Sequence, residues 1–554
     1  MELQLFETSW MDVWNGREPT EPVGAVFTKP EIVGLILDLA GYQVGATRLS
    51  RRSILEPSCG DGAFLTLVIE RLLASEREHE KQIDWAAPEL STAIRACDLN
   101  SGFVALARQT TRATLCAAGC PDDRAAALAE QWIVHADFLL TNWSERFDFV
   151  VGNPPYVRIE DLPPVVLQRY RELYSTCTDR ADLYVAFFEK GLRLLNPEGC
   201  LAFICANRFA KNLYGRRLRE LISREYRVRY YLNLEHTQPF AHDVSAYPCI
   251  TVLDRAHGEP TFAATLESLD AQTLASLRPT TQTSRSSTAL VRFPRWYVDG
   301  APWIATQREQ FEHLHTLAAN FPTLEESGEA TQVGIGVATG ADDIYVRQGK
   351  DPQIEDCCQL PLIMAGDISP ERLDWSGHYL IDPFETDQHS DTGLRDLAAH
   401  PGLARYFESH RALLEARHVA KKRPHAWYRT IDRVTHSLTG KSKLLIPDIQ
   451  AGGNVGYDEG KFYPHHNVYW ITSEGWNLRT LQALLRSTMV LEQIRAHSVQ
   501  MRGGSLRYQA QVLRKLRLPA AKSLPGKLTK ALAAIAGSSD QAALDKLARE
   551  AFGS

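Results

Sequence analysis

Four short apolar runs, separated by helical stretches, constrain the fold of this chain more than any other feature. The residues that follow these strand-like runs include Gly60, Asp98, Asp137 and Asn153, in that order. Strands that alternate with helices form a parallel sheet covered by helices on both faces, and ligands bind at the carboxyl ends of its strands. The sequence therefore predicts a doubly wound α/β domain with a ligand crevice at these four strand ends.

The first of these runs leads into a turn that suits a nucleotide-type ligand. The turn contains Gly60 and Gly62 and is followed by a helix. Glycines allow close approach of a ligand to the backbone, and the helix N-terminus offers free N–H groups. The spacing is not G-x-G-x-x-G, which argues against a dinucleotide. Asp98 is placed to accept ribose hydroxyls, and Asp137 to accept an adenine amine while Phe138 packs on the ring.

The fourth run ends in Asn153-Pro154-Pro155-Tyr156. Two consecutive prolines fix the backbone and remove two N–H donors, which leaves a rigid turn with bare carbonyls. The Asn side chain adds a further acceptor and the Tyr adds a flat aromatic face. Two acceptors beside an aromatic plate suit the capture of a planar amine. A structural turn is the alternative for this motif alone, and the upstream strand ends favour the amine site.

These motifs resemble the S-adenosylmethionine-dependent amino-methyltransferases of DNA, most closely the TaqI-like N6-adenine enzymes with the gamma order of motifs. The resemblance is strong over residues 20–255 and weaker beyond. It implies that Asn153, Pro154, Pro155 and Tyr156 are catalytic and that Tyr214 is the second aromatic residue that sandwiches an extruded base. It assigns cofactor binding to Thr28, Glu56, Pro57, Gly60, Gly62, Asp98, Asp137 and Phe138.

The second half of the chain is expected to bind double-stranded DNA. Lys421, Lys422 and Arg423 are expected to contact phosphates, and Arg502 and Arg507 to read guanine edges. We expect a Rossmann-like catalytic domain (1–255), a linker rich in Thr and Ser (256–300), a mixed α+β target-recognition domain (301–520) and closing helices (521–554). The net charge of −6 does not favour a nucleic-acid binder, so a DNA surface must be local.

Composition is that of a large globular intracellular enzyme. The 554 residues are 44% apolar, and ten scattered cysteines suggest free thiols in a reducing compartment. No signal peptide or membrane span is expected, so we predict a cytoplasmic protein. Cys357-Cys358 lacks a matching second pair, and we predict no metal site. A monomer on DNA is expected, together with a separately encoded restriction endonuclease.

Several alternatives to adenine methylation remain open from the sequence. Cytosine N4 and protein glutamine N5 methylation use the same amine or amide chemistry, although glutamine enzymes lack a large C-terminal half. Tyr247-Pro248-Cys249 is similar to the nucleophile motif of cytosine C5 methylation. Asp448 followed by Glu459 and Lys461 has the spacing of a metal-dependent nuclease, which would indicate a fused restriction enzyme. A non-enzymatic DNA-binding module is a further possibility.

Overall fold

The computed structural model describes residues 26–553 apart from 81, 243–246, 257–259, 279–289, 294–296, 298, 304–307, 386–392 and 499–504. The chain divides into two compact units, residues 1–311 and 312–554. The predicted linker of 256–300 is corrected in part, because two segments within it are strands of the first unit's sheet. Its Thr- and Ser-rich residues 279–288 lie outside the described residues.

The first unit contains a nine-stranded sheet with the order β3-β2-β1-β4-β5-β7-β6-β8-β9. Its strands are β1 (Ile54–Glu56), β2 (Ile94–Asp98), β3 (Ile133–His135), β4 (Phe147–Gly152), β5 (Leu195–Ala206), β6 (Arg227–Asn233), β7 (Pro248–Asp254), β8 (Thr261–Thr265) and β9 (Val291–Phe293). Strands β3, β2, β1, β4 and β5 are parallel, and β7 runs antiparallel to β5 and β6. The four predicted strand ends therefore share one edge of the sheet.

Helices cover both faces of this sheet. They are α1 (Pro30–Ala40), α2 (Ala63–His79), α3 (Pro88–Ala93), α4 (Ser101–Ala117), α5 (Asp122–Trp132), α6 (Pro164–Leu173), α7 (Tyr184–Arg193), α8 (Arg208–Lys211), α9 (Arg216–Glu225) and α10 (Ala271–Leu277). Strand β5 shows why two layers form. Its residues Ala202 and Ile204 belong to one buried core, and Leu201, Phe203 and Cys205 to the other. Side chains of a strand alternate between faces, so the continuous apolar run Cys200–Ala206 of β5 needs cover on both sides. The predicted doubly wound α/β fold is confirmed.

The second unit is a mixed α+β structure, as predicted. Its strands are β10 (Gln332–Ile335), β11 (Val346–Gln348), β12 (Gln359–Ile363), β13 (His378–Ile381), β14 (Lys443–Pro447), β15 (Ile449–Gln450), β16 (Gly456–Asp458), β17 (Tyr463–Pro464), β18 (Val468–Thr472) and β19 (Leu506–Arg507). They form two four-stranded sheets, β10-β18-β14-β16 and β11-β13-β12-β17, and the pair β15-β19.

The helices of the second unit pack on these sheets. They are α11 (Arg308–Asn320), which begins in the first unit, α12 (Asp342–Tyr345), α13 (Pro401–Ser409), α14 (Arg411–Ala416), α15 (His418–Lys422), α16 (Leu478–Arg486), α17 (Thr488–His497), α18 (Ala510–Leu513), α19 (Gly526–Ile535) and α20 (Gln541–Phe552). Leu444 and Ile471 of the first sheet share a core with Leu532 and Phe552, so the predicted closing helices belong to this unit. Among the described helices of both units, none is long and apolar enough to cross a membrane.

Candidate active site

The turn after β1 is tied to both neighbouring strand ends. The Gly60 N–H donates to Oδ2 of Asp98 at 2.9 Å, and the Ser58 hydroxyl donates to the carbonyl of Asn153 at 3.1 Å. Gly60 and Gly62 have positive φ values of 51° and 89°, which favour glycine. The turn, β2 and β4 thus form one connected edge, as the sequence predicts.

Glu56 is the buried acid of this edge. It is only 3% exposed, and its Oε2 atom has no hydrogen-bond partner among the described residues. Burial raises its pKa well above the usual range, and the nearby carboxylates of Asp98 and Asp61 add to the effect. A buried acid with a free oxygen among like charges is suited to a cationic ligand. Pro57 lies next to it in the chain, and a side-chain carbon added at Gly152 would meet the Pro57 ring at 3.5 Å.

Asn153 is held in a single orientation by its own amide nitrogen. Its Nδ2 atom donates to the carbonyl of Val26 at 2.7 Å and to the hydroxyl of Thr28 at 3.3 Å. Its Oδ1 atom is buried and has no described partner. Since a carbonyl can only accept, the contact with Val26 fixes which end of the amide is nitrogen. The Asn153 side chain therefore presents a free acceptor, with Pro154 and Pro155 following directly.

Tyr156 lies among aromatic residues, and one of them is not foreseen from the sequence. The Phe240 ring is 6.1 Å from the Tyr156 ring at an interplanar angle of 75°. The ring of Tyr184, the first residue of α7, is 6.3 Å from the Tyr156 ring. Phe240 is anchored because its backbone bridges to Thr28. Its only sequence signal is a large aromatic residue after Pro239 in the loop between two strands. The Tyr156 hydroxyl is buried without a described partner, and burial raises its pKa well above the usual range.

Tyr214 has a different environment from the one the sequence suggests. Its hydroxyl donates to Oδ2 of Asp182 at 2.7 Å and shares a hydrogen bond of 2.7 Å with the Tyr184 hydroxyl. Tyr184 in turn contacts Tyr156 through its ring. Tyr214 is thereby fixed in a polar network and is linked to Tyr156 through Tyr184. This geometry favours support of the aromatic cluster over direct stacking on a base.

The two predicted nucleoside acids differ in how much of their acceptor capacity is used. Asp98 accepts backbone N–H groups from Gly60 and Asn100, the latter at 2.8 Å, and remains partly exposed. Asp137 is buried and accepts from two backbone N–H groups at 2.8 and 3.2 Å and from the Tyr170 hydroxyl at 2.6 Å. Burial raises the pKa of both carboxyls, and these donors oppose the rise. Asp98 is the more available of the two.

The Phe138 ring lies in the hydrophobic core instead of facing an open crevice. It is 3% exposed, packs 5.0 Å from the Phe187 ring and lies under the Lys190 ammonium at 5.1 Å. The expected packing of this ring on adenine stays a prediction, since core side chains cover the ring in this structure. Burial lowers the pKa of Lys190 to about 8, with Asp137 opposing the shift.

The predicted DNA contacts of the second unit divide into three groups. Lys421, Lys422 and Arg423 are exposed and make no ion pair among the described residues. Arg507 is paired with Asp448, and this pair raises the Arg507 pKa. Arg502 lies outside the described residues. Among these predicted contacts that the structure describes, the 421–423 cluster is the one that offers unpaired positive charge.

Two rival chemistries lose their residues to structural contacts. Asp448 is engaged by Arg507, whereas Glu459 is a mostly exposed side chain paired with Lys461 at 3.3 Å. Cys249 is fully buried within β7, where it pairs with residues of β5 and β6. A metal-dependent nuclease needs carboxylates that meet around one metal ion, and among the described residues neither Asp448 nor Glu459 belongs to a cluster of possible metal ligands. Methylation at C5 needs an accessible thiolate, which the buried Cys249 does not offer.

Comparison with known proteins places the chain in a family. The family described as Eco57I restriction-modification methylase matches residues 104–240. The type II methyltransferase M.XhoI of Xanthomonas vasicola is 40% identical over 96% of this chain and 97% of its own length. The type II methyltransferase M.PaeR7I of Pseudomonas aeruginosa is also 40% identical, over 96% of this chain and 92% of its own.

Solved structures agree at the level of the fold. The type IIL restriction-modification enzyme MmeI, in complex with DNA, has a TM-score of 0.61 at 13% identity and covers 95% of this chain and 72% of its own. The type ISP enzyme LlaGI, as a nuclease-deletion mutant with a DNA substrate mimic, has a TM-score of 0.53 at 12% identity, covering 96% and 56%. With identity of this extent to M.XhoI and M.PaeR7I, the chain belongs to the type II DNA methyltransferases of restriction-modification systems, which are S-adenosylmethionine-dependent enzymes of the TaqI-like class.

Proposed function

We propose that the Asn153–Tyr156 turn transfers the methyl group of S-adenosylmethionine to N6 of an adenine in double-stranded DNA. The observation that carries this proposal is the fixed amide of Asn153, whose Oδ1 atom is a free acceptor. An aromatic amine is a poor nucleophile because its lone pair is delocalised into the ring. Acceptance of its two hydrogens by Asn153 Oδ1 and the Pro154 carbonyl localises that lone pair on nitrogen.

The reaction needs the target base outside the helical stack. An adenine amine in a duplex is paired and stacked, so the nucleotide must be extruded before the amine can reach the turn. Tyr156 supplies the aromatic face next to the acceptors, and Phe240 is the second aromatic residue that the structure brings to it. Tyr214 supports this pair through Tyr184. We thus assign Tyr214 a positioning role in place of the stacking role expected from the sequence.

The turn after β1 suits the cofactor on electrostatic grounds. S-adenosylmethionine supplies an electrophilic methyl on a cationic sulfonium and also carries an ammonium group. Glu56 has a free buried oxygen and like charges around it, so a bound cation lowers the cost of its ionised form. We propose that the cofactor is held by Thr28, Glu56, Pro57, Gly60, Gly62, Asp98 and Asp137. Phe138 stays a predicted cofactor contact, although its ring lies in the core of this structure.

The protein contributes orientation and charge to this reaction. A direct displacement would form the bond from the amine nitrogen to the methyl carbon while the carbon–sulfur bond breaks, with the electron pair staying on sulfur and one amine proton lost to solvent afterwards. No protein nucleophile is needed, so the rate depends on the alignment of amine and methyl. Asn153, held by Val26 and Thr28, is aligned before substrate arrives. Such preorganised dipoles are among the largest contributions to catalysis.

The second unit is proposed to hold the duplex. Lys421, Lys422 and Arg423 are free to neutralise phosphates without regard to sequence. Arg507 can read a base only after exchanging Asp448 for a guanine edge. We further propose that the enzyme acts as a monomer on DNA and that a separately encoded endonuclease cuts unmodified sites.

Nucleoside analysis after reaction tests this proposal. Purified protein is incubated with duplex DNA and S-adenosylmethionine carrying a deuterated methyl group, and the DNA is digested for mass spectrometry. The expected product is deuterated N6-methyldeoxyadenosine. Deuterated N4-methyldeoxycytidine in its place would establish the cytosine alternative, which uses the same amine chemistry. A reaction without duplex DNA, containing the protein as the only acceptor, is the control for glutamine methylation.

A further inference from the structure

Cys357 and Cys358 lack a second cysteine pair in the sequence, but the fold supplies a third ligand. The side chain of His400, at the start of α13, lies close to both thiols, and the three ligand atoms are within 4.8 Å of one another. Cys357 is exposed and Cys358 is fully buried. The cluster lies wholly in the second unit and takes no part in the methyl-transfer site.

From this cluster we infer a zinc site formed by Cys357, Cys358 and His400. Two cysteines and one histidine with an exposed fourth position form a donor set that zinc accepts. The sequence alone predicts no metal site, because Cys357 and Cys358 lack a second cysteine pair. The protein is expected to gain one zinc ion that joins the segment Asp356–Cys358 to the beginning of α13.

The spacing of the two sulfur atoms supports this assignment. Sulfurs bound about 2.3 Å from a tetrahedral zinc lie roughly 3.8 Å apart. The Sγ atoms of Cys357 and Cys358 are 3.8 Å apart. The two thiols therefore already have the separation that zinc requires. The ligand nitrogen of His400 lies within 4.8 Å of both sulfurs, and such a site has a sulfur–nitrogen distance of about 3.6 Å.

The orientation of His400 leaves one ring nitrogen for the metal. Its Nδ1 atom lies 2.9 Å from the carbonyl oxygen of Asp396. A carbonyl only accepts, so Nδ1 carries the hydrogen and Nε2 carries the lone pair. A backbone carbonyl that fixes the tautomer of a histidine in this way is the usual partner of metal-bound imidazole.

Hydrogen bonds hold the segment that carries the two thiols. The buried guanidinium of Arg395 donates to the carbonyl of Cys357 at 2.8 Å. Burial raises the pKa of the Cys358 thiol to about 12, and Arg395 opposes this rise. The same junction is already braced by Glu355, which accepts the backbone N–H groups of Gly402 and Leu403 at 2.7 and 2.9 Å. Zinc at this place would add a second connection between two segments that are already in register.

A second cluster of possible ligands is better explained without metal. Asp342, His465 and His466 also lie within 4.8 Å of one another. Both ring nitrogens of His465 are engaged, Nδ1 with Asn467 at 2.8 Å and Nε2 with Asp342 at 3.1 Å. His466 therefore provides a matched control, because it is a partly exposed histidine in a comparable cluster.

Zinc retention by the full-length chain tests the inference. Reduced protein is incubated with zinc chloride, passed through gel filtration and analysed for metal, and a cobalt(II)-loaded sample is examined for thiolate charge-transfer absorption. Wild type is expected to retain about one zinc per chain. Cys357→Ser and His400→Asn are expected to lose at least about nine-tenths of it, whereas His466→Asn and Cys116→Ser retain it. Circular dichroism verifies that each variant is folded.

Three outcomes would overturn the zinc site. Wild-type protein could retain no zinc after gel filtration, or the two ligand variants could retain as much as wild type. The third is that reduced protein binds no zinc while mild oxidation yields a Cys357–Cys358 disulfide, seen as the loss of two hydrogens and reversed by reductant. None of these readouts depends on methyl transfer, so failure of the zinc site and failure of the proposed reaction are distinguishable.

Discussion

The turn at Asn153 and the cluster 421–423 are both predicted from residue types. In the structure the first is anchored by neighbouring residues, whereas the second is exposed and unpaired among the described residues. The Asn153 amide is anchored by Val26 and Thr28 so that one atom remains free. The 421–423 cluster is exposed and makes no ion pair among the described residues. Catalysis needs an acceptor in one orientation, whereas phosphate binding needs only accessible charge. The two kinds of site are therefore recognised by opposite features of their surroundings.

Neutralising the 421–423 cluster is expected to have the largest effect on DNA affinity. Lys421→Gln, Lys422→Gln and Arg423→Gln together should flatten the slope of log affinity against log salt by about three, one per phosphate contact, and weaken binding on the order of a hundredfold near 0.15 M salt. Fluorescence anisotropy over a salt series on cognate and scrambled duplexes measures this.

The matched control for this triple change lies on the C-terminal helices. Changing Lys527, Lys530 and Lys546 to Gln removes the same charge from another exposed surface. Its slope is expected to stay at the wild-type value. Equal slopes for the two triple variants would show that the 421–423 cluster is an ordinary solvated surface. Its proposed role in phosphate binding would then be wrong.

Asp98→Asn is expected to weaken cofactor binding about five- to a hundredfold. Asp98 is partly exposed and holds Gly60 in the turn, and one buried hydrogen bond to a ligand is worth roughly 1–3 kcal/mol. Asp148→Asn is the control, because that acid binds the Ser53 N–H at 2.9 Å at the opposite end of β4. Calorimetric titration with S-adenosylmethionine compares them, and equal affinity in both variants would remove Asp98 from the site.

Glu56→Gln is expected to stabilise the cofactor-free protein at neutral pH and to weaken cofactor binding. The pKa of Glu56 is raised in the folded state, so its favourable contribution is complete below about pH 4.3 and is lost as pH rises through the folded pKa. Glutamine does not ionise, so the gain in the free energy of unfolding should be present at pH 8 and absent at pH 4. Urea unfolding at both pH values measures it, with the exposed Glu70→Gln on α2 as control; equal stability of wild type and Glu56→Gln at pH 8 would contradict the raised pKa.

Thr28→Val is expected to give the smallest effect. The substitution removes the hydroxyl that accepts from Asn153 and keeps the shape of the side chain. Loss of one such hydrogen bond corresponds to about 0.5–1.5 kcal/mol, or a two- to tenfold slower single-turnover rate. Thr114→Val on α4 is the control. A weaker cofactor affinity with an unchanged rate would instead support the cofactor role that the sequence suggests for Thr28.

The strand ends could be predicted from sequence because they depend on local patterns. β1, β2, β3 and β4 occur where apolar runs precede Gly60, Asp98, Asp137 and Asn153. The partners of those residues could not be predicted, because they come from distant segments. The Tyr170 hydroxyl, 33 residues away in the sequence, donates to the carboxylate of Asp137. The carbonyl of Val26, 127 residues away, accepts from the Asn153 amide.

The aromatic residues show the same limit. Tyr156 could be found from its motif, whereas Phe240 reaches it only because the loop between β6 and β7 returns to Thr28. Phe138 and Tyr214 have residue types that suit a stacking role. In the structure the Phe138 ring packs in the core, and the Tyr214 hydroxyl donates to Asp182. Strands β8 and β9 could not be predicted, because the Thr- and Ser-rich segment between them has the composition of a linker.

The most direct test of the account separates cofactor binding from methyl transfer in Asn153→Ala. Single-turnover transfer to duplex DNA and calorimetric titration with S-adenosylmethionine are measured on the same preparation, with Asn212→Ala as control. We predict a loss of transfer of at least about a hundredfold, as for removal of a preorganised polar group, with cofactor affinity close to wild type. Near-wild-type transfer by Asn153→Ala would contradict the role given to its free carbonyl oxygen.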